Sequence, residues 1–311
     1  MLNDAWTDRL PKFDGQIAIE GKWLDIAELD FGKVRRQRPF AVLKPANTDD
    51  VVKAVNFCRE EKIPLAARGH AHSAGGQMMV REGLVIDMKS LDKICEIGDD
   101  FITVEGGVAW SEILEAAVER NLTPPVVTDW LSVSIGGTVS MGGFGFMSFH
   151  RGTQMDHLVE LEVVTGTGEK ITCSPTVNSE MFDAVRATHG QFAIITKAKI
   201  PLEPAPESVR MVQAAYGSVT DLLDDINRLS KNHEVDLIHG FAAEKNPQSV
   251  MTRMNSTDSM NLDLQVVESA LNDVEGNWVY NLEISDLQGH GLKGPRVDLS
   301  QLNHLPGCID V

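Results

Sequence analysis

The chain has 311 residues, 42% of them hydrophobic and 23% charged, with a formal net charge of −17. Those proportions fit a soluble globular protein, and the length predicts about two domains. The acidic balance speaks against a nucleic-acid partner or an anionic membrane surface, since each needs a broad basic face to meet it. No uninterrupted apolar run approaches membrane-spanning length.

The N-terminus, Met1-Leu2-Asn3-Asp4-Ala5-Trp6, has no basic region followed by an apolar one. The expectation is a cytoplasmic protein, with secretion requiring a chain that begins before Met1. Cys58, Cys95, Cys173 and Cys308 stand far apart without CxxC spacing and read as isolated structural thiols. Residues 1–38 are weakly periodic and read as an irregular lead-in with a short helix. The basic cluster Lys33 to Arg38 within them reads as a solvated connector face.

Pro39 to Pro45 reads as a short edge strand, because proline at both ends restricts ladder pairing. Asn47-Thr48-Asp49-Asp50 offers N-cap chemistry. The Val51, Val52, Ala54, Val55 and Cys58 that follow have helical spacing, and the helix should end near Lys62. Two apolar strand-like runs, Ile63 to Ala67 and Gly83 to Met88, then bracket Arg68-Gly69-His70-Ala71-His72-Ser73-Ala74-Gly75-Gly76-Gln77. Small residues let a backbone approach a ligand closely, and successive N–H groups can cup an anionic oxygen. The loop follows a strand's carboxyl end, where ligands tend to sit in α/β units.

Phe101 to Gly107 reads as a strand ending in a tight turn, and Trp110 to Val118 as a helix capped by Ser111 or a neighbour. Val127 to Gly145 is glycine-dense and almost uncharged. Its Leu, Val, Ile, Met and Phe residues argue for burial, so it is expected to be a close-packed ligand loop rather than a linker. Thr165-Gly166-Thr167-Gly168 lies between two strand-like runs and signals a hairpin. Asn178 to Ala187 looks helical, Phe192 to Ile200 looks like a strand, and the prolines from Pro201 to Pro206 mark a boundary. Beyond it, Val219 to Leu229 is expected to be helical and Trp278 to Ile284 a strand. Asn246 to Asp263 is polar, and Gly289 to Val311 shows no packed pattern.

His70 and His72 form an HxH pair without a third ligand at a metal spacing, so no metal is expected. The surrounding glycines suit a large planar or phosphorylated ligand better. Ser73 and Gln77 can hydrogen-bond such a ligand, and an imidazole nitrogen can be a nucleophile towards an electrophilic cofactor. A surface turn with incidental histidines remains the plain alternative. Asp129 is the single ionisable residue of its glycine-dense stretch. Desolvated, it would have a raised pKa; kept ionised, it would be a hydrogen-bond acceptor; the bland reading is a turn-capping aspartate. There is no strand-led GxGxxG with an acidic ribose partner, and P-loop, HExxH and GxSxG signals are absent.

Ala67 to Ser73 with Gln77 resembles the flavin-linking loop of cytokinin dehydrogenases, which belong to the vanillyl-alcohol oxidase and p-cresol methylhydroxylase type of FAD-binding proteins. Thr128-Asp129-Trp130-Leu131, Ile135 to Ser140, Val163 to Glu169, Thr172 to Pro175 and Gly190 to Thr196 are similar to further motifs of that family, in the same order. The resemblance runs from about Pro39 to Pro206. It implies an α+β fold in which a lead-in (1–35) precedes a two-subdomain FAD-binding domain (36–206) and a partial α+β substrate domain (207–311).

The resemblance also implies roles. His72 would carry FAD covalently through the 8α-methyl group. Ser73 and Gln77, with the backbone of Ala67, Gly69 and Ala71, would hold the diphosphate and ribityl chain. Ser134, Ser140, Phe144 and Ile194 match other FAD-contacting positions. Asp129 would touch the cofactor region and accept a hydrogen bond from a substrate secondary amine while hydride leaves the adjacent carbon. The implied activity is FAD-dependent oxidation of the CH–NH group of N6-substituted adenines, to adenine and an aldehyde. Its partners would be a small-molecule substrate and oxygen or a quinone-like electron acceptor.

The alternatives are an FAD-linked oxidase of another alcohol, sugar or amine, and a catalytically silent flavin-binding fragment. The chain departs from the family pattern at Ala71 (usually glycine), His70 (commonly arginine), Phe144 (a smaller aliphatic residue) and His239 (a substrate-contacting glutamate). Trp278 to Glu283 and Leu305 to Cys308 resemble the middle of the family's substrate domain, so a C-terminally truncated chain is expected.

Overall fold

The structure is a computed structural model that describes residues 6, 9–232, 235–246, 277–288 and 308–309. It is mixed α+β and divides into two compact units, residues 1–145 with 152–203, and residues 146–151 with 204–311. The polar stretch 247–263 and Leu305-Pro306-Gly307 lie outside the described residues. No helix among the described residues is long and apolar enough to cross a membrane.

The first unit holds a four-stranded and a five-stranded sheet. One contains β1 (Gln16–Ala18), β2 (Ala41–Lys44), β3 (Leu65–Arg68) and β4 (Leu84–Asp87) in the order β1-β2-β4-β3, with β4 parallel to both β2 and β3. All four β4 residues are buried, as expected of a parallel strand covered on both faces. The helix α1 (Lys22–Ala27) precedes β2, and α2 (Thr48–Glu61) connects β2 to β3. The apolar stripe of α2, with Val51, Ala54, Val55 and Cys58, packs on Leu43, Leu84 and Ile86. The expected edge strand at Pro39 to Pro45 is corrected here: β1 pairs with the open side of β2, so β2 is interior. The prolines lie outside the paired residues and cost no ladder bond.

The second sheet is antiparallel. Its strands are β5 (Ile94–Ile97), β6 (Phe101–Glu105), β7 (Glu160–Thr165), β8 (Lys170–Cys173) and β9 (Ala193–Pro201), in the order β5-β6-β9-β7-β8. Alternating burial along β9 puts one face on a core shared with α3 (Trp110–Val118), α4 (Ile135–Met141) and α5 (Ser179–Val185). The glycine-dense stretch is thus only partly a loop, because α4 occupies its middle. The N-cap of α3 is Ala109, whose N–H donates to Glu112 Oε2 at 2.9 Å. The basic cluster is ion-paired rather than merely solvated: Arg38 contacts Asp25 and Glu28, and Arg36 contacts Glu28.

In the second unit β10 (Ser208–Tyr216), β11 (Leu237–Glu244), β12 (Trp278–Gln288) and β13 (Cys308–Ile309) form an antiparallel sheet in the order β11-β12-β10-β13. The helix α6 (Val219–Asn232) places Leu222, Ile226 and Leu229 at helical spacing against Leu282 and Ile284. Tyr216 donates its hydroxyl to buried Asp225 at 2.9 Å.

The start of α2 is held by one buried carboxylate. Asp50 accepts the backbone N–H groups of Asp14 (2.9 Å), Gly15 (2.8 Å) and Ala46 (3.0 Å), and Lys53 Nζ lies at 3.3 Å. Burial alone would push this carboxyl up, but the three N–H donors and Lys53 outweigh it and hold the pKa below the ordinary value. A carboxylate whose pKa is lowered on folding contributes stability above the unfolded value of about 3.9, and that contribution is lost as pH falls through the folded value. Asp50→Ala is expected to cost about 3 kcal/mol at neutral pH, with a smaller difference from the parent below about pH 3. Urea denaturation at both pH values checks this, and an equal loss at both would contradict the role given to the ionised carboxylate.

Candidate functional site

The glycine loop leaves β3 at a point where a side chain would displace the Ser134 hydroxyl. A Cβ on Gly69 would lie 2.3 Å from Ser134 Oγ, and Ser134 is buried at the start of α4. Next to it, Gly136 donates its N–H to Gly106 O at 2.9 Å, and a Cβ there would meet the same oxygen at 2.7 Å. Backbone from the two sheets' connecting segments therefore meets almost bare.

Residues 29–33 brace the loop from the other side. Phe31 donates its N–H to Ala71 O at 2.9 Å, and Gly76 donates to buried Asp30 Oδ2 at 2.8 Å. Asp30 Oδ1 accepts from Lys33 N–H at 2.9 Å, and the buried guanidinium of Arg68 donates to Leu29 O at 2.7 Å. Burial pushes the Arg68 pKa down, opposed by Asp87 and Asp30. The expected irregular lead-in is thus part of the loop's scaffold. Asp30-Phe31-Gly32 was a readable turn signal, but its partner lies about 40 residues on and no local pattern names it.

The loop borders a cavity of about 780 Å³, within the roughly 300–1,000 Å³ of small-molecule and cofactor sites. His72, Ser73, Gln77, Asp129, Ser134 and Ser140 line it, as do Ala67, Gly69, Ala71 and Ile194. The structure so brings together ten of the eleven residues singled out from sequence. Phe144 is the exception: it is 70% exposed and does not line the cavity. The glycine pair Gly142 (φ 123°) and Gly143 (φ 59°) ends α4 and precedes it.

The His72 ring lies against two aromatic rings, stacked on Phe31 (centroids 5.1 Å apart, 16° between planes) and tilted to Trp130 (5.4 Å, 39°). Asp129 is exposed. Its Oδ1 accepts from Trp130 N–H (2.9 Å) and Thr128 Oγ1 (3.2 Å). Ser140 donates its hydroxyl to Gly136 O at 2.7 Å, which leaves oxygen lone pairs as its contribution to a ligand.

Sequence reading missed Arg59 and His189 in the wall, and Arg59 is the one Lys or Arg residue among those lining it. Cys58 also borders the cavity, but burial pushes its thiol up to about 12, so it is a neutral packing group.

Ala71 has φ 62°, in the left-handed region that favours glycine. That conformation costs an alanine roughly 1–2 kcal/mol, against about 0.4–1 kcal/mol for the extra unfolded freedom of glycine. Ala71→Gly is therefore expected to stabilise the first unit by about 0.5–1 kcal/mol. Thermal denaturation of the variant beside the parent tests it, and a lowered midpoint would refute the strain argument.

The FAD binding domain family model matches residues 39–174. The chain is similar to an uncharacterised oxidoreductase of the fasciation locus of Rhodococcoides fascians, 39% identical over 217 residues that cover 70% of this chain and 50% of that protein. It is also similar to cytokinin dehydrogenase 8 of Oryza sativa subsp. indica, 39% identical over 230 residues, covering 68% of this chain and 43% of that one. The chain spans about half the length of these curated relatives. Among solved structures, 6-hydroxy-D-nicotine oxidase from Arthrobacter nicotinovorans shares the fold, with a TM-score of 0.69 at 20% identity over 90% of this chain and 57% of that one. The FAD binding domain family model thus accounts for residues 39–174, and the chain is similar to proteins named cytokinin dehydrogenases.

Proposed function

We propose that this chain is an FAD-dependent oxidoreductase that holds FAD in the cavity of its first unit and oxidises the CH–NH group of a secondary amine, with N6-substituted adenines as the substrate class. One observation carries the reading. A wall rich in glycine, where a Cβ on Gly136 would meet backbone and one on Gly69 the Ser134 hydroxyl, faces a cavity of cofactor size that is also lined by His72, Ser73, Gln77 and Asp129. The similarity to proteins named cytokinin dehydrogenases supports the substrate class.

In this reading residues 36–206 hold the cofactor and residues 207–311 are part of a substrate domain. His72, in contact with the rings of Phe31 and Trp130, is the point of covalent attachment. Ser73, Gln77 and the backbone of Ala67, Gly69 and Ala71 hold the diphosphate and ribityl chain, and Ser134, Ser140 and Ile194 complete the wall. Bound there, the isoalloxazine supplies an acceptor for hydride. An Asp129 carboxyl oxygen accepts the hydrogen bond of the substrate N–H. A carboxylate at that nitrogen stabilises the positive charge that develops as hydride leaves the neighbouring carbon. Water then divides the resulting imine into adenine and an aldehyde, and the electrons pass to oxygen or a quinone-like acceptor.

A second reading, oxidation of a different alcohol, sugar or amine, is favoured by His239. Its ring stacks on Phe146 at 4.5 Å and lies 5.4 Å from Phe241, giving an aromatic face where a carboxylate is the family pattern.

Anaerobic mixing separates the readings. Isopentenyladenine is expected to bleach the flavin absorbance, and Asp129→Asn to slow the bleaching by about 100-fold or more. Bleaching by alcohols or sugars alone would select the second reading, and none by any substrate would leave a silent flavin-binding protein. His72→Ala is expected to release its flavin to the supernatant on acid denaturation, whereas the parent retains it; retention by the variant would exclude His72 as the attachment point.

A further inference from the structure

The lead-in segment contributes an aromatic ring that attachment of FAD at His72 does not by itself explain. Phe31 stacks on His72, with ring centroids 5.1 Å apart and 16° between planes, while Trp130 meets the same imidazole at 39°. Phe31 is exposed and stands outside the buried clusters of the first unit, so its ring adds little to a core. Its place is nevertheless fixed through backbone. Phe31 donates its N–H to the carbonyl of Ala71, the residue before His72. The neighbouring Asp30 carboxylate accepts the N–H groups of Gly76 and Lys33.

We propose that Phe31 is a positioning residue that sets the plane of the His72 imidazole for covalent attachment of FAD. This inference rests on the flavin reading and its attachment point, and adds to them a residue from outside the matched segment 39–174. The bonding lone pair of an imidazole nitrogen lies in the ring plane, so that plane decides where the nitrogen can form a bond. Histidine does not set the plane by itself, because its outer side-chain torsion is broad and roughly two-fold. His72 is exposed, so close packing does not set it either. A ring laid flat on the imidazole does, since a stack covers one face and not the edge that carries both nitrogens. Trp130, tilted against the ring, supplies no second parallel face. In the attachment a bond forms between an imidazole nitrogen and the 8α carbon. One proton leaves the methyl group and one the imidazole system, and two electrons pass by way of the flavin to dioxygen, which with two protons becomes hydrogen peroxide.

The test uses the full chain made under riboflavin starvation and mixed with saturating FAD in air. It follows the flavin that stays with the chain after acid precipitation. Phe31→Leu is expected to slow attachment by roughly two- to tenfold, the size of one aromatic stack. Phe31→Tyr, which keeps the flat face, is expected to attach at close to the parental rate. In a His72→Ala background, where binding is reversible, Phe31→Leu should leave the dissociation constant for FAD unchanged, as read from flavin fluorescence. An unchanged attachment rate in Phe31→Leu overturns the proposal, as does Phe31→Tyr as slow as Phe31→Leu. So does a loss of FAD affinity in the His72→Ala background large enough to account for the slowing. A parent that binds FAD and never attaches it would overturn the attachment point, and one that takes up none would overturn the flavin reading, each taking this inference with it.

Discussion

The first unit depends on the contact between Gly69 and Ser134. There the end of β3 meets the start of α4 so closely that an added Cβ would overlap the serine hydroxyl. Gly136 against Gly106 repeats the arrangement next to it. Side chains at these points would wedge the connecting segments apart. Their absence lets both sheets border one cavity, with Leu65 and Ala67 of one sheet and Val164 and Ile195 of the other in its lining.

Around that seam, three buried charges are satisfied by backbone groups. Asp50 gathers the N–H groups of three residues that precede α2, Asp30 ties Gly76 to the lead-in, and Arg68 caps the carbonyl of Leu29. Each is costly to bury and specific in what it holds, so together they fix loops that have little apolar surface of their own. The aromatic residues follow a different logic. Phe31 and Trp130 are 66% and 58% exposed, yet both lie against His72, so they orient its imidazole instead of filling a core.

Much of this was legible in the sequence because the signals were local. Asn47 does cap α2, its side chain accepting from Asp50 N–H at 3.0 Å, and Thr165 to Glu169 does turn β7 into β8. The glycine loop follows β3 as its small residues suggested, since a backbone that approaches a ligand announces itself by composition. What escaped was tertiary. Pairing of β1 with β2 depends on a partner that no proline pattern reveals, and α4 was hidden because its glycines serve close packing on Gly106 and Ser134. Asp129 sits among apolar neighbours in sequence but is exposed in space, and Phe144 points away from the cavity wall its neighbours build. The brace from Asp30 and Phe31 joins segments too far apart for any periodicity to link.

The most direct measurement of the central claim is the flavin content of the purified chain, taken from its visible absorption as isolated and after incubation with excess FAD. The account predicts a yellow protein with one FAD per chain, and it predicts that Gly69→Val, which drives a side chain into Ser134, loses it. A correctly folded chain that remains colourless in excess FAD would contradict the account.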